Sequence, residues 1–298
     1  MTATGTIDQG YLRRHPLPGI ETAVGKDERG TVLVIGGSRQ LPGAILLAAE
    51  AALRAGAGKL QIATVASVAV HVAMAMPEAR VIGLPETTAG EIDPASVGEL
   101  SPNVGSADAV LVGPGMVDQK GAGALSLALL KMEGAAQFVF DAAALTGLRD
   151  DVDTLRGCGH AFAITPHPGE MATFLGIDRD IVLEDPRAAG VCAAASTAGI
   201  VAMKGATTFI CVTDQSWICE GGGIGMATSG SGDVLAGLIA GFAARGAPIV
   251  QAVLWGVFVH AEAGRQLGKA IGTVGYLARE LSAIAPRIVD ELTDQHNQ

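Results

Sequence analysis

Along this chain, short runs of β-branched and aliphatic residues alternate with longer stretches whose apolar positions recur at helical spacing. "TVLVIGG" (31–37) predicts a buried strand ending in glycines, and "GAILLAAEAALRAG" (43–56) predicts an Ala/Leu helix stopped by a glycine. "LQIATV", "ARVIGL", "AVLVG", "QFVFDA" and "AFAIT" have strand length, and helical stretches such as 121–132 lie between several of them. This alternation predicts βαβ units and a doubly wound α/β sheet. From about Ile200 the pattern changes: "IVAMKG", "TTFICV" and "SWICE" follow one another across short turns, which predicts an antiparallel hairpin at one edge of a mostly parallel sheet. Helices are expected over 231–245, 249–267 and 274–286. Residues 1–29 are polar and punctuated by Pro and Gly, and read as an extended arm before a single domain over 30–298.

Composition supports a large core of small aliphatic side chains. Apolar residues make up 49 % of the 298, charged residues 17 % and aromatics 4 %, as expected for strands covered on both faces. A net charge of −10 with no Lys/Arg cluster argues against nucleic acid as a partner. It leaves phosphorylated small ligands open, because backbone amides bind phosphate without a basic protein. The four cysteines form no C-x-x-C and no metal spacing, which suits reduced thiols in the cytoplasm; a Cys211–Cys219 hairpin bridge is the alternative. The N-terminus lacks the apolar core of a signal peptide, and the longest apolar stretch (65–76) is too short to span a bilayer, so no membrane partner is expected.

Ligands of such sheets bind at the carboxyl ends of strands, and there the unusual residues fall. "VIGGSRQLPGA" (34–44) makes a Gly-Gly-Ser, Pro-Gly turn into a helix whose free N–H groups suit phosphate or another polar ligand; a plain strand-to-helix turn explains it equally well. "VLVGPGM" places Gly113 and Gly115 where a ligand could approach backbone closely, and as a lone signal it is also an ordinary turn. Asp141 ends a strand, either as a helix N-cap or as a carboxylate facing a cleft. His167 stands between Pro166 and Pro168, which restrict the backbone on both sides of the imidazole and favour a ligand contact over a mere turn. Glu170 reads as a first-turn acid serving the helix dipole. Lys204 and Gly205 sit at a hairpin turn with Ala206, Thr207 and Thr208, either solvated or touching a nucleotide. In "GMATSGSGDVLAGLIAG" (225–241), Gly230, Ser231 and Gly232 open an amphipathic helix with bare amides suited to a phosphoryl group, and Asp233 is misplaced beside an anion unless it serves as a base.

Together and in this order, "GSRQLPGA" with "AALRAGAGKL", "VGPGM", "DAAAL", "TPHPGEM", "MKGATT" and "GMATSGSGDVLAGLIAG" resemble the ribokinase-like superfamily, and within it the ADP/ATP-dependent NAD(P)H-hydrate dehydratases. The likeness runs from about Thr31 to Pro286. It implies a three-layer α/β/α sandwich and a hydro-lyase that phosphorylates the hydroxyl of the S epimer of hydrated NADH or NADPH with ADP or ATP, then expels phosphate. By the resemblance Asp233 is the base, and the Gly230–Asp233 amides form the anion hole. Ala44, Gly113, Gly115, Asp141 and His167 line the hydrate pocket, and Lys204 to Thr208 with Gly232 contact the adenine nucleotide. Mg²⁺ is expected with the phosphates, from no recognisable ligand set. The family also implies a homo-oligomer, with a tetramer favoured, to which the apolar 252–264 stretch could contribute if it is not simply buried. A separate epimerase is implied as functional partner, since no epimerase domain is evident. Three positions depart from the family pattern: Gly223 replaces an Asn, Ser229 precedes Gly230, and Ala143 replaces a second acid. A vitamin-precursor kinase of the same fold and a non-catalytic nucleotide sensor are the rival readings.

Overall fold

The computed structural model describes residues 3–19 and 25–293. Its strands are β1 (Ala3–Thr6), β2 (Thr31–Ile35), β3 (Lys59–Val65), β4 (Ala79–Leu84), β5 (Ala109–Val112), β6 (Gln137–Phe140), β7 (Phe162–Ile164), β8 (Ile200–Met203), β9 (Thr207–Cys211) and β10 (Gln215–Glu220). They form one sheet in the order β1-β10-β9-β8-β7-β6-β5-β2-β3-β4. Pairing is parallel except where β9 meets β8 and β10. The chain runs outward from β2 through β3 to β4, then resumes at β5 on the other side of β2 and builds away from it. The β2/β5 boundary is therefore the topological switch point, where open α/β sheets form their ligand crevice.

Both faces of the sheet are covered, as the continuous apolar runs require. Strand alternation splits β2 between two cores: Val32 and Val34 join the cluster of the Pro42–Arg54, Ser231–Ala244 and Ile249–Ala270 helices, and Leu33 and Ile35 join the opposite one. The helix carrying "AVLWGVFVHAEAG" buries Val253, Leu254, Trp255, Val257, Phe258 and Val259 inside the chain, so its apolar faces carry no argument for a subunit contact.

Three details differ from the sequence reading. Part of the segment read as an extended arm is built into the sheet: β1 pairs in parallel with β10, so the antiparallel hairpin lies one strand in from the edge. The last helix is Ala278–Thr293 and continues through Pro286, while positive φ at Gly272 and Gly275 keeps the preceding residues in a loop. The hairpin cysteines do not face each other. Cys211 pairs with Ser216 and Cys219 with Thr208, both thiols are free, and burial pushes them up to about 12 and about 11.

A glycine stripe sets the approach of the helix that carries Asp233. A Cβ on Gly237 would lie 2.2 Å from the Ala48 carbonyl oxygen, and one on Gly241 would lie 2.3 Å from that of Ala52. The Ser231–Ala244 helix thus rests backbone to backbone on the Pro42–Arg54 helix, which aligns its N-terminus beside the switch point. Gly237→Ala is expected to push the helices apart and cost about 1–3 kcal/mol in a urea titration; an unchanged midpoint would contradict the close packing.

Candidate active site

Backbone contacts draw the strand ends together. The Gly37 N–H donates to the Pro114 carbonyl at 2.7 Å and the Gly113 N–H to that of Ile35 at 3.1 Å. A Cβ on Gly115 would stand 3.1 Å from the Ala44 Cβ and 2.4 Å from the Leu41 oxygen. Gly113, Gly115 and Ala44 therefore share one crevice at the switch point. Asp141 adjoins it, since a Cβ on Gly113 would strike the Asp141 carbonyl oxygen at 1.9 Å.

Asp141 occupies the N-cap position of the Ala142–Gly147 helix, but its side chain makes no cap bond. Its buried Oδ1 instead accepts from the Thr165 hydroxyl at 2.6 Å and from the Lys204 ammonium at 3.0 Å. The next residue, Ala142, is held at φ 51°, a left-handed conformation that a non-glycine residue adopts at a cost. That strain accompanies a carboxylate turned toward the site and away from its own helix.

Lys204 gathers the remaining groups. Its backbone N–H donates to the Pro166 carbonyl at 2.8 Å, joining the end of β8 to the His167 turn, and its Nζ lies 3.5 Å from Glu170 Oε2. Burial alone would depress this ammonium, but Asp141, Glu170 and Asp233 together hold its pKa above the ordinary value. A Cβ on Gly232 would come 3.2 Å from Nζ, so the glycine leaves room for the cation at the helix entrance. Asp233 stands in the first turn there, with Gly230 in the left-handed region at φ 88° just before. Desolvation first, then the Asp141 and Glu170 charges, push the Asp233 carboxyl up to about 7 against the opposing pull of Lys204.

His167 has a structural duty that the sequence reading did not assign. Its Nδ1 accepts from the Gly169 and Glu170 N–H groups at 3.0 and 3.2 Å, and Glu170 Oε2 accepts from the His167 N–H at 2.7 Å. This is a reciprocal capping box for the Pro168–Leu175 helix. The flanking prolines thus serve a cap, and His167 still faces a cavity.

That cavity has a volume of about 730 Å³. His167, Lys204, Gly205, Ala206, Thr208, the Gly221 to Ile224 turn, Ser231, Gly232 and His260 line it, with Leu235, Val257 and Ala261 supplying apolar wall. Thr207 is not among these residues, because strand alternation turns it to the opposite face from Thr208. Gly223 sits at φ 97° and ψ 173°, a region open essentially to glycine alone, so an Asn there would require a different backbone. Ser229 is exposed beside the turn, and Ala143 is buried in the core under Asp141. Two site residues, Thr165 and His260, escaped the sequence, and a third was read with only one of its two duties. Glu170 is an ion partner as well as a first-turn acid, Thr165 was only a strand end, and His260 lay unmarked inside an apolar helix. Among the described residues no three His, Cys, Asp or Glu side chains converge to hold a metal, and no helix is long and apolar enough to cross a membrane.

A family model described as NAD(P)H-hydrate dehydratase matches residues 32–287. An ADP-dependent (S)-NAD(P)H-hydrate dehydratase of Xanthomonas campestris pv. campestris is 47 % identical over 289 residues, 96 % of each chain. A bifunctional NAD(P)H-hydrate repair enzyme of Moorella thermoacetica is 36 % identical across 95 % of this chain, which spans 53 % of that longer protein. The crystal structure of an ADP/ATP-dependent NAD(P)H-hydrate dehydratase from Bacillus subtilis, co-crystallized with ATP/Mg²⁺, superposes with a TM-score of 0.82 at 26 % identity, over 97 % of this chain and 98 % of that one.

The raised carboxyl makes a stability prediction with a definite sign. The folded protein holds a proton on Asp233 up to about 7, whereas the unfolded chain releases it near 3.8. Stability contributed at this position therefore falls as pH rises through that window and stays low above it. Asp233→Asn is expected to raise the melting temperature at pH 8 relative to the parent protein, by an amount that shrinks toward pH 4. A variant less stable than the parent at pH 8 would contradict the buried, crowded carboxylate.

Proposed function

We propose an activity from one premise: the chain belongs to the NAD(P)H-hydrate dehydratase family. It dehydrates the S epimer of hydrated NADH or NADPH to the working cofactor at the expense of ADP, giving AMP and phosphate. The observation that carries this reading is a carboxyl pushed up to about 7 in the first turn of a helix whose glycine-rich entrance presents the amides of Gly230, Gly232 and Asp233, the Ser231 amide donating to the Thr228 carbonyl at 3.2 Å. A base with a pKa near the working pH is largely ionised yet still basic enough to take a hydroxyl proton, an effect worth about 10²–10⁴-fold.

In this mechanism Asp233 removes the proton from the hydrate hydroxyl as the oxygen attacks the terminal phosphorus of ADP. Amides of Gly230, Gly232 and Asp233 receive the charge on the transferred group, each such donor being worth about 10²–10³-fold in rate. The phosphorylated hydroxyl has become a good leaving group. The ring nitrogen's electrons expel it as phosphate, the iminium so formed loses a proton from the neighbouring ring carbon to water, and the C–H electron pair becomes the ring double bond of the restored dihydronicotinamide. Ala44, Gly113, Gly115 and Asp141 hold the hydrate at the switch point, and His167 meets it from the wall of the adjoining cavity. Lys204, Gly205, Ala206, Thr208 and Gly232 hold the nucleotide in the neighbouring cavity, and Thr207 contributes backbone alone.

Mg²⁺ belongs to the proposal as a companion of the nucleotide phosphates, whose charge it neutralises when bound. The described residues offer no cage for it, and no step above is assigned to it. A homo-oligomer working in the cytoplasm, beside a separate epimerase that supplies the S epimer, completes the reading. The family match favours dehydration over a vitamin-precursor kinase, and the raised Asp233 has no purpose in a nucleotide sensor.

Hydrated NADH mixed with this protein and ADP should regain dihydronicotinamide absorbance and release phosphate, with ATP run in parallel. Accumulation of a stable phosphorylated product would favour the kinase. Asp233→Asn should lower kcat by about 10²-fold or more while ADP still binds; an equally active variant would exclude the base. With the parent enzyme, kcat/KM should climb about tenfold per pH unit below about 7 and level off above it.

A further inference from the structure

Beneath the anion turn lies a side-chain pair that the mechanism above does not use. His260, on the Ile249–Ala270 helix, brings its Nε2 to 2.9 Å from the Ser231 carbonyl oxygen and 3.1 Å from the Ser231 hydroxyl oxygen. A carbonyl can only accept, so Nε2 must carry the hydrogen. Burial pushes this imidazole down to about 4, with the Ser231 carbonyl opposing and the Lys204 charge assisting, so the ring is neutral with its one hydrogen on Nε2.

The Ser231 hydroxyl then has no lone pair to meet at that nitrogen, and its oxygen can only share the Nε2 hydrogen as an acceptor. Among the described residues its own hydrogen finds no further acceptor. The side chain is 6 % exposed, and both residues line the cavity that the proposal gives to the nucleotide. A buried O–H donor left over at the entrance of a helix, beside Gly232 and Lys204, matches an anionic oxygen.

We infer that Ser231 donates its hydroxyl hydrogen to the phosphoryl group that is transferred, and that His260 is the positioning residue that compels it to do so by occupying the hydroxyl oxygen as an acceptor. This rests on the nucleotide reading above and adds a side-chain donor to the backbone amides. His260 touches no reacting atom; it acts through Ser231. The pairing also accounts for a histidine that directly follows the apolar run Val257–Val259, where a hydrophobic residue would pack at lower cost.

The test compares binding of ADP and AMP, which differ only by that phosphoryl group, by calorimetry on the full chain. The parent protein should prefer ADP. Ser231→Ala should reduce the ADP-over-AMP preference about ten- to a hundredfold and leave AMP affinity unchanged. His260→Leu should reproduce that loss, the double variant should be no worse than either single one, and His260→Gln, which restores an N–H donor, should recover most of the preference. Because His260→Leu removes a buried polar contact, a folded state confirmed by circular dichroism is read alongside, and Ser231→Ala decides the matter if the leucine variant unfolds. Retained preference in Ser231→Ala, or losses that add in the double variant, would overturn the inference. An equal affinity of the parent for ADP and AMP would remove the nucleotide reading with it. A coupled loss in a protein that fails to dehydrate hydrated NADH would uphold the inference and sink only the dehydratase activity.

Discussion

Three carboxylates from three separate stretches of chain converge on one ammonium. Asp141 ends β6, Glu170 opens the helix after β7, Asp233 opens the Ser231–Ala244 helix, and Lys204 at the end of β8 faces them all. Without the cation, three like charges in a desolvated crevice would drive one another apart or stay protonated. With it, the acids divide unequally. Asp141 and Glu170 take the direct contacts at 3.0 and 3.5 Å, while Asp233 feels Lys204 only through space and keeps the raised affinity for a proton. Burial without a direct ion partner thus leaves Asp233 as the group able to accept a proton near neutrality.

That electrostatic arrangement depends on how closely the backbone can be brought to it. Gly237 and Gly241 let the Asp233 helix rest on the backbone of its neighbour, and Gly230 turns the chain into that helix through a left-handed φ. At the same end of the sheet, Gly113 and Gly115 bring the β5 turn against Asp141 and Ala44. The small-residue composition of the core is thus the means by which strand ends and helix entrances meet at the switch point. The strain at Ala142 is held by the same crowding.

Much of this was legible in the sequence because strand and helix periods are local, and so are the turns that end them. The glycine-rich stretch before Asp233 could be read as the entrance of a helix from spacing alone. What could not be read depends on contacts between distant residues. β1 is four residues of a polar segment and exists because β10 offers it an edge. His260 meets a partner 29 positions away, so nothing in its own apolar neighbourhood marks it. His167 was legible as a constrained residue, but its cap bonds to Gly169 and Glu170 are a matter of rotamer, which the two prolines permit without announcing. Glu170 was assigned one duty and has two, because the cation it faces comes from another strand.

Asp233 keeps its proton until near neutrality in the folded protein. Its titration can be followed directly by carbon-13 NMR of the labelled side-chain carboxyl in the free enzyme, assigned by its loss in Asp233→Asn. The expected midpoint is about 7, moving higher when Lys204 is replaced by Met. A midpoint in the ordinary aspartate range, unmoved by that replacement, would contradict it.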